Sequence, residues 1–332
     1  MFVESGGIQM IPSRLTTGDE IRVIAPSNSL QSVGGYVANQ PANDRLSALG
    51  YQVTFGQHVL AMDRFNSSPI EARIADLHAA FIDDNVKAIL AVTGGYNSNE
   101  LLPYIDFDLI ASHPKIICGY SDFSALANAM TAKTGLVTYY GPSYISFKLA
   151  DQLGDYQERN WQKVMTQEAG PIRLTASKEW SSDAWYLPNA KRDYRTNHWQ
   201  SYTSGCVTGT LVGGNLNTLY TLQGTPYQPD YNDQILLIEC SDGSDRFDFS
   251  RNLAALLQSM KQPKALIIGR IPTDVMLSEV DLIAILNKFP ILKTIPVLYN
   301  VNVGHTQPTL TLPIGQSITV NATEEWLQIE SD

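Results

Sequence analysis

The sequence predicts an α/β protein, in which a parallel sheet covered by helices on both faces is followed by a second α/β domain of mixed sheet. In the first half, short apolar runs alternate with amphipathic patterns of helical spacing, the arrangement that produces parallel strands. The same alternation resumes after a polar, aromatic stretch in the middle. At 332 residues the chain is long enough for two domains or one large α/β unit. We expect two, an N-terminal domain at 1–165 and a C-terminal domain at 166–332.

The N-terminal half has the clearest alternation of strand and helix. Ligands of parallel sheets bind where the carboxyl ends of the strands and their loops gather. Ser27, Gly94, Gly95 and Ser121 each follow such a strand, so we expect them along one rim. The predicted strands are 22–26, 51–55, 86–92 and 115–118, and the predicted helices are 36–49, 69–83 and 124–133.

The stretch 165–205 is rich in polar and aromatic residues and has little periodicity. We interpret it as a long loop or crossover between the domains, of the kind that carries function when it is ordered. Near the C-terminus, the apolar runs 309–312 and 317–320 flank a Pro-Ile-Gly turn and predict a hairpin. The other predicted strands of this half are 208–213, 234–240, 264–270 and 296–301, and its predicted helices are 249–260 and 278–288.

Composition excludes several classes of function. The chain is 44% hydrophobic and 17% charged, as expected of an ordered enzyme, and its net charge of −10 argues against nucleic acid or an anionic membrane as the main partner. No apolar stretch is long enough to span a bilayer, and the first fifteen residues lack the pattern of a secretory signal. The three cysteines are widely separated and have no metal-binding spacing, which argues against a disulfide framework or a zinc site. These features predict a cytoplasmic protein.

The segment around Ser121 is the most informative in the chain. An apolar strand runs into Gly119, Tyr120 and Ser121, and a helix follows. A serine on such a turn projects its hydroxyl from the sheet edge, and the first N–H groups of the helix point to where an oxyanion would form. The segment resembles a nucleophile elbow, although Phe123 replaces the second glycine of that motif. The alternative is that Ser121 or Ser124 only caps the helix.

A serine nucleophile needs a base, and an acid to orient the base. Of five histidines, His305 follows a strand and a glycine in a loop at the rim. His198 lies in the aromatic stretch, where it could contact substrate, and the other three (His58, His78 and His113) are expected to be surface or structural residues. Glu239 ends a buried strand, where its carboxylate must have a partner. That partner could be an imidazole, or Arg246 or Arg251 in a structural ion pair.

Several segments together resemble the LD-carboxypeptidase family of serine peptidases. The resemblance implies an N-terminal Rossmann-like domain, a C-terminal domain, a homodimer and no cofactor or metal. It also implies a triad of Ser121, His305 and Glu239, with the backbone N–H groups of Gly95 and Asp122 as the oxyanion hole. The matching segments, in chain order, are Ala25-Pro26-Ser27, Gly94-Gly95-Tyr96-Asn97-Ser98-Asn99, Leu101-Leu102-Pro103-Tyr104-Ile105-Asp106, Gly119-Tyr120-Ser121-Asp122, Leu211-Val212-Gly213-Gly214-Asn215-Leu216, Leu237-Ile238-Glu239, Gly304-His305-Thr306 and Leu312-Pro313-Ile314-Gly315.

Within this family, the Gly94–Asn99 loop and the Trp-bearing stretch are similar to the microcin C self-immunity branch. Its members cleave the amide that joins a peptidyl or aminoacyl group to a modified nucleotide, whereas the murein branch removes D-alanine from a tetrapeptide. The resemblance makes Trp185, or else Trp180, a candidate for stacking on a nucleobase, unless that Trp is buried between the domains. One departure from the branch is that residues 240–243 lack a basic side chain to hold the nucleotide. The predicted substrate contacts are Asn97, Ser98, Trp180, Trp185 and Asn215.

Two hypotheses of other classes remain at this point. A non-catalytic, two-domain ligand-binding protein would not need Ser121, His305 and Glu239 to be in contact. A nucleotide-dependent transferase would need a phosphate-binding loop, and no such pattern surrounds Gly94 and Gly95. Within the peptidase hypothesis, the substrate is either a microcin-like nucleotide conjugate or a muropeptide.

Overall fold

The computed structural model describes residues 9–167, 169–187 and 190–331. The first eight residues, which carry much of the segment predicted not to be a secretory signal, lie outside the described residues. The α-helices are α1 (Gly35–Ala48), α2 (Ile70–Ile82), α3 (Phe107–Ser112), α4 (Ser124–Thr134), α5 (Gln152–Thr166), α6 (Leu216–Leu222), α7 (Arg246–Gln258) and α8 (Glu279–Leu286).

Most strands belong to two sheets. The strands of the first half are β1 (Glu20–Ile24), β2 (Gln52–Phe55), β3 (Val86–Ala91), β4 (Ile116–Gly119) and β5 (Thr138–Tyr140). Those that follow are β6 (Ile172–Leu174), β7 (Glu179–Trp180), β8 (Arg195–Thr196), β9 (Gln200–Thr203), β10 (Cys206–Asn215), β11 (Ile235–Glu239), β12 (Ala265–Gly269), β13 (Val297–Val301), β14 (Leu312–Ile314), β15 (Ser317–Asn321) and β16 (Trp326–Ile329).

The first sheet has the strand order β14-β5-β4-β3-β1-β2, and β1 to β5 are parallel. Its central strands β3 and β4 are nearly continuous apolar runs, as expected of parallel strands that are buried on both faces. The chain passes from β1 to β2 on one side and returns to β3 on the other, so a crevice opens between the ends of β1 and β3. The loops after these two strands meet there, where the Asn28 N–H donates to the Gly94 carbonyl at 3.2 Å.

The second sheet has the order β6-β16-β15-β10-β11-β12-β13-β9. Strands β10 to β13 are parallel, and antiparallel strands flank them on both sides. Asn215 and Glu239 are register partners at the carboxyl ends of β10 and β11. The predicted fold class, a parallel-sheet domain followed by a mixed α/β domain, is therefore confirmed.

The predicted hairpin near the C-terminus is wrong. Strand β14 pairs antiparallel with β5 in the first sheet, whereas β15 pairs with β10 and β16 in the second. The turn at Gly315, whose φ is +93°, passes the chain from one sheet to the other instead of folding it back on itself. The two sheets are thus connected both through the middle of the chain and through this crossing.

The stretch 165–205 contains more regular structure than a loop. It includes β6 and β9, which extend the two edges of the second sheet, and the pair β7–β8. Ser181 also forms an antiparallel bridge with Gln307, with N···O distances of 2.9 Å in both directions. This bridge fixes the aromatic segment beside the loop that carries His305.

Candidate active site

Ser121 lies on a tight turn between β4 and α4. Its φ is +63°, a left-handed conformation that is uncommon for a residue with a side chain and frequent at functional turns. The hydroxyl lies 2.9 Å from Nε2 of His305, and Ser124 Oγ donates to the Ser121 carbonyl. No side-chain cap occurs at the start of α4, so the alternative that Ser121 or Ser124 is a helix cap is wrong.

His305 lies between Ser121 and Glu239. It follows β13 and Gly304, where φ is +101° and a Cβ would collide with the Glu239 carboxylate. Its Nδ1 lies 2.7 Å from Glu239 Oε2, and the ring packs against Tyr120 at a centroid distance of 5.2 Å. The His305 side chain is 11% exposed, so one part of it remains open to a ligand.

Glu239 is fully buried at the end of β11. Its Oε1 accepts hydrogen bonds from the Tyr140 hydroxyl at 2.7 Å and from Asn215 Nδ2 at 2.9 Å, while Oε2 bonds to His305. The alternative of a structural ion pair with Arg246 or Arg251 is wrong, since Arg251 pairs with Asp248 and the Glu239 carboxylate bonds to Tyr140, Asn215 and His305.

The pKa values of Glu239 and His305 are both shifted in the direction that favours the charged forms of the two side chains. Burial would raise the pKa of Glu239, but the charge of His305 and the three hydrogen bonds outweigh burial and hold that pKa below its ordinary value. Burial would likewise lower the pKa of His305, but the charge and hydrogen bond of Glu239 raise it overall, with smaller contributions from Asp242 and Asp274. The site therefore stabilises an imidazolium, the species that forms when a histidine takes a proton from serine.

The backbone of Gly94 and Gly95 approaches Ser121 and Ser27 closely in the crevice. A Cβ on Gly94 would lie 2.8 Å from Ser121 Oγ, and one on Gly95 would collide with Ser27 Oγ, so only glycine permits this approach. The Asp122 carboxylate accepts from Ser27 Oγ at 2.6 Å and from the Ser98 N–H at 2.8 Å. The predicted rim of Ser27, Gly94, Gly95 and Ser121 is confirmed by these contacts.

The aromatic segment contributes two differently placed tryptophans. Trp180 is 8% exposed, and the guanidinium groups of Arg270 and Arg195 lie 4.5 and 5.3 Å from its ring centroid. Trp185 is half-buried and packs edge-on against Tyr186. The Ser181–Gln307 bridge keeps this segment near His305. Trp185 is therefore the more accessible of the two, and its contact with substrate stays a prediction.

The other predicted substrate contacts already form hydrogen bonds within the protein, and they differ in how far they are buried. Asn215 is 3% exposed, donates to Glu239 and caps α6 by accepting from the Thr218 N–H. Ser98 is fully buried, and its hydroxyl donates to the Asp122 carbonyl. Asn97 is half-buried, with Oδ1 3.3 Å from Ser27 Oγ. Their roles toward substrate stay predictions, but the first two have structural roles that the sequence did not indicate.

Within 9–167, 169–187 and 190–331, no group of three or more His, Cys, Asp or Glu residues is arranged to hold a metal ion. Over the same ranges, no helix is long and apolar enough to cross a membrane. Cys118 and Cys240 are buried, and burial raises both thiol pKa values, so neither is a candidate nucleophile.

Sequence reasoning missed Tyr140, which contacts both the Ser121 backbone and Glu239. Its strand has three residues and carried no recognisable pattern. The one available signal was the run Thr138-Tyr139-Tyr140 itself, in which two aromatic residues follow closely after α4, the helix next to Ser121.

Models of known families match both halves of the chain. Residues 21–141 match the LD-carboxypeptidase N-terminal domain, and residues 208–320 match the LD-carboxypeptidase C-terminal domain.

Curated relatives extend over nearly the whole length. The chain is 43% identical to a putative carboxypeptidase of Bacillus subtilis, YocD, over 94% of this chain and 96% of the relative. It is 32% identical to the microcin C7 self-immunity protein MccF of Escherichia coli, over 86% and 88%. A murein tetrapeptide carboxypeptidase of Pseudomonas aeruginosa is 27% identical over 82% and 85%.

Solved structures have the same fold. An MccF-like protein from Bacillus anthracis has a TM-score of 0.93 and 41% identity, covering 97% of this chain and 100% of that one. A structure of MccF in complex with glutamyl sulfamoyl guanosine has a TM-score of 0.87 and 29% identity, covering 97% and 98%.

Proposed function

We propose that this chain, which belongs to the LD-carboxypeptidase family and is therefore a serine-type carboxypeptidase, hydrolyses an amide bond through Ser121, His305 and Glu239. The observation that carries the proposal is the continuous hydrogen-bonded series from Ser121 Oγ to His305 Nε2, at 2.9 Å, and from His305 Nδ1 to Glu239 Oε2, at 2.7 Å. A ligand-binding protein without chemistry would not need this series. The left-handed backbone of Ser121 is a strained conformation of the kind that clusters at functional turns, active sites among them.

The chemistry follows from the geometry. His305 takes the proton of Ser121 as the hydroxyl attacks the scissile carbonyl, and Glu239 stabilises the imidazolium that results. The backbone N–H groups of Gly95 and Asp122 then hold the oxyanion. His305 returns the proton to the leaving amine, and an acyl-enzyme remains on Ser121. Water, deprotonated by His305, hydrolyses this ester and restores the serine.

Asp122 contributes to the oxyanion hole in two ways. Its backbone N–H is one proposed donor, and its carboxylate accepts the Ser98 N–H and Ser27 Oγ, which hold the loop that carries Gly95. The two donors are thus connected by hydrogen bonds before substrate arrives. Such preorganisation is what makes oxyanion stabilisation effective, since the protein need not rearrange as charge develops.

For the substrate, we propose a peptidyl- or aminoacyl-nucleotide of the microcin C type. The support is the likeness to MccF, whose solved complex contains glutamyl sulfamoyl guanosine, together with the aromatic segment that the Ser181–Gln307 bridge holds near His305. In this hypothesis the ring of Trp185 stacks on the nucleobase.

One observation favours the second candidate, a murein tetrapeptide. Asp242 and Asp274 lie near enough to His305 for their charges to raise its pKa, and the Asp274 carboxylate accepts the Gly243 N–H at 3.1 Å. The group that joins the aminoacyl part to the nucleoside in such conjugates is anionic, and these carboxylates would repel it. A murein tetrapeptide has no phosphate-like group, although the carboxylate of its terminal D-alanine meets the same charges, so direct assay has to rank the two substrates.

A direct comparison of the two substrates tests the proposal. Purified protein is incubated separately with an aminoacyl sulfamoyl adenylate and with a murein tetrapeptide, and products are separated by liquid chromatography. We expect cleavage of at least one amide, and loss of that activity in a Ser121→Ala variant that still folds. Near-wild-type turnover by Ser121→Ala would refute the nucleophile assignment, and no cleavage of either amide would refute both proposed substrate classes.

A further inference from the structure

Tyr140 occupies the position where the two sheets meet at the active site. It ends β5, is fully buried, and is the register partner of both Gly119 in β4 and Leu312 in β14. Strand β4 leads into Ser121, and β14 follows the loop that carries His305. Gly214 of β10 packs so closely on the ring that a Cβ there would lie 3.0 Å from Cε2. The phenol ring is therefore fixed from both domains.

The Tyr140 hydroxyl makes two hydrogen bonds with residues of the triad. It accepts the Ser121 N–H at 3.0 Å and donates to Glu239 Oε1 at 2.7 Å. Together with the bonds from Ser121 to His305 and from His305 to Glu239, these contacts close a ring of four hydrogen bonds. Ser121 and Glu239 are thus connected twice, once through the imidazole of His305 and once through the phenol of Tyr140.

Each of the two bonds restrains a different degree of freedom. The Ser121 N–H belongs to a residue with φ of +63°, so its anchoring helps hold a backbone conformation that most residues avoid. On Glu239, the imidazole uses Oε2 while Tyr140 and Asn215 use Oε1, which prevents the carboxylate from rotating. Burial and the Glu239 charge raise the pKa of Tyr140 well above its ordinary value, so the phenol stays a donor throughout the working pH range.

We propose that Tyr140 is a positioning residue for the reaction, which holds the Ser121 backbone and the Glu239 carboxylate in register through one hydroxyl. The inference rests on the proposed function, since it assigns Tyr140 a role only if the triad works as described. Tyr140 has no access to substrate, so it acts through the residues that it bonds. Its role differs from that of an oxyanion donor and from that of a general acid.

The test is Tyr140→Phe, which removes the hydroxyl and keeps the ring. We expect kcat to fall about 10- to 100-fold, because loss of a positioning contact displaces the reacting groups, with KM nearly unchanged. We also expect the acidic limb of the kcat/KM profile to move to higher pH. Without the phenol donor, more of the Glu239 charge acts on the imidazole and the pKa of His305 rises further.

The groups that set this limb are otherwise unchanged in the variant. Glu239, Asp242 and Asp274 are the charges that act on His305, and Tyr120 packs on its ring. The upward shift separates positioning from a merely structural role, which would lower the melting temperature without moving the limb.

Tyr139→Phe is the matched control. Tyr139 lies on the same strand, is equally buried, and its hydroxyl accepts from Arg14 at 3.1 Å, away from the triad. We expect this variant to keep wild-type kcat and the wild-type acidic limb, whatever it loses in stability. Equal losses of kcat in both variants would overturn the inference.

Ser121→Ala, assayed in parallel, distinguishes failure of the proposed role of Tyr140 from failure of the proposed function. If it is inactive while Tyr140→Phe has wild-type kcat and an unmoved limb, the role of Tyr140 is wrong and the triad stands. If Ser121→Ala remains active, the proposed function itself fails. A thermal melt of each variant confirms that the comparison is made on folded protein.

Discussion

Replacing Glu239 by glutamine would test how the imidazole is held, with a change of only one atom. Glu239 accepts hydrogen bonds from Tyr140, Asn215 and His305. A glutamine amide has a single acceptor oxygen and cannot satisfy donors on both sides. With that oxygen toward Tyr140 and Asn215, its NH₂ group faces Nδ1 of His305. The ring then carries its proton on Nε2, toward Ser121, and cannot accept the serine proton.

We expect Glu239→Gln to lower kcat on the order of 10⁴-fold, the effect that an acid-to-amide exchange has in a Ser-His-Asp peptidase through the wrong tautomer. This loss corresponds to about 5 kcal/mol of activation free energy. KM should change little, because Glu239 is 0% exposed and cannot touch substrate.

Steady-state kinetics with whichever amide the wild type cleaves provide the assay. Glu279→Gln is a suitable control, since Glu279 also accepts from a tyrosine hydroxyl, that of Tyr299, and from Gln200, outside the triad. It should keep wild-type kcat. If a folded Glu239→Gln enzyme retained kcat within about tenfold of wild type, the tautomer argument would be refuted.

Three further predictions follow from the same contacts. Gly94→Ala places a methyl group 2.8 Å from Ser121 Oγ, so we expect at least tenfold lower kcat/KM, and unchanged kinetics would contradict the close approach. Activity requires neutral His305, and Glu239 raises its pKa above the ordinary 6.5, so kcat/KM should rise with pH through a midpoint above 6.5 and be lost below it. A midpoint at or below that value would contradict the role of the acid. Asp242→Lys should raise the ratio of nucleotide-conjugate to tetrapeptide cleavage about fivefold at low salt, as expected when an exposed charge is reversed. A ratio that did not change would show that charge at this position does not select the substrate.

Much of the fold was predictable because a parallel strand that is buried on both faces appears in the sequence as a short apolar run, which can be recognised locally. The runs at 22–26 and 86–92 are apolar except for one basic residue each, Arg22 and Lys87, and each coincides with a strand of the first sheet to within two residues at either end. The position of Ser121 followed from the same logic, since a serine between a buried strand and a helix must lie at the rim. Glu239 and His305 were reached by combining strand ends with the resemblance to the family, and they lie in contact with Ser121.

The errors concern pairings between residues distant in sequence. Strands β14 and β15 have the local pattern of a hairpin, but their partners β5 and β10 lie more than one hundred positions earlier, and no local pattern encodes that choice. Asn215 stays a predicted substrate contact, but its amide also donates to Glu239, its register partner on the neighbouring strand, a structural role that the sequence did not indicate. The role of Tyr140 depends on the same meeting of two sheets. The homodimer, the cytoplasmic location and the domain division near residue 165 stay predictions.

Covalent labelling of the nucleophile tests the central claim most directly. Wild-type protein is treated with a serine-directed fluorophosphonate, the adduct is located by peptide mass spectrometry, and the rate is compared with that of His305→Ala. We predict one adduct, on Ser121, forming much faster in the wild type than in the variant. Absence of an adduct on Ser121, or equal rates in the two proteins, would contradict the proposal that His305 activates this serine.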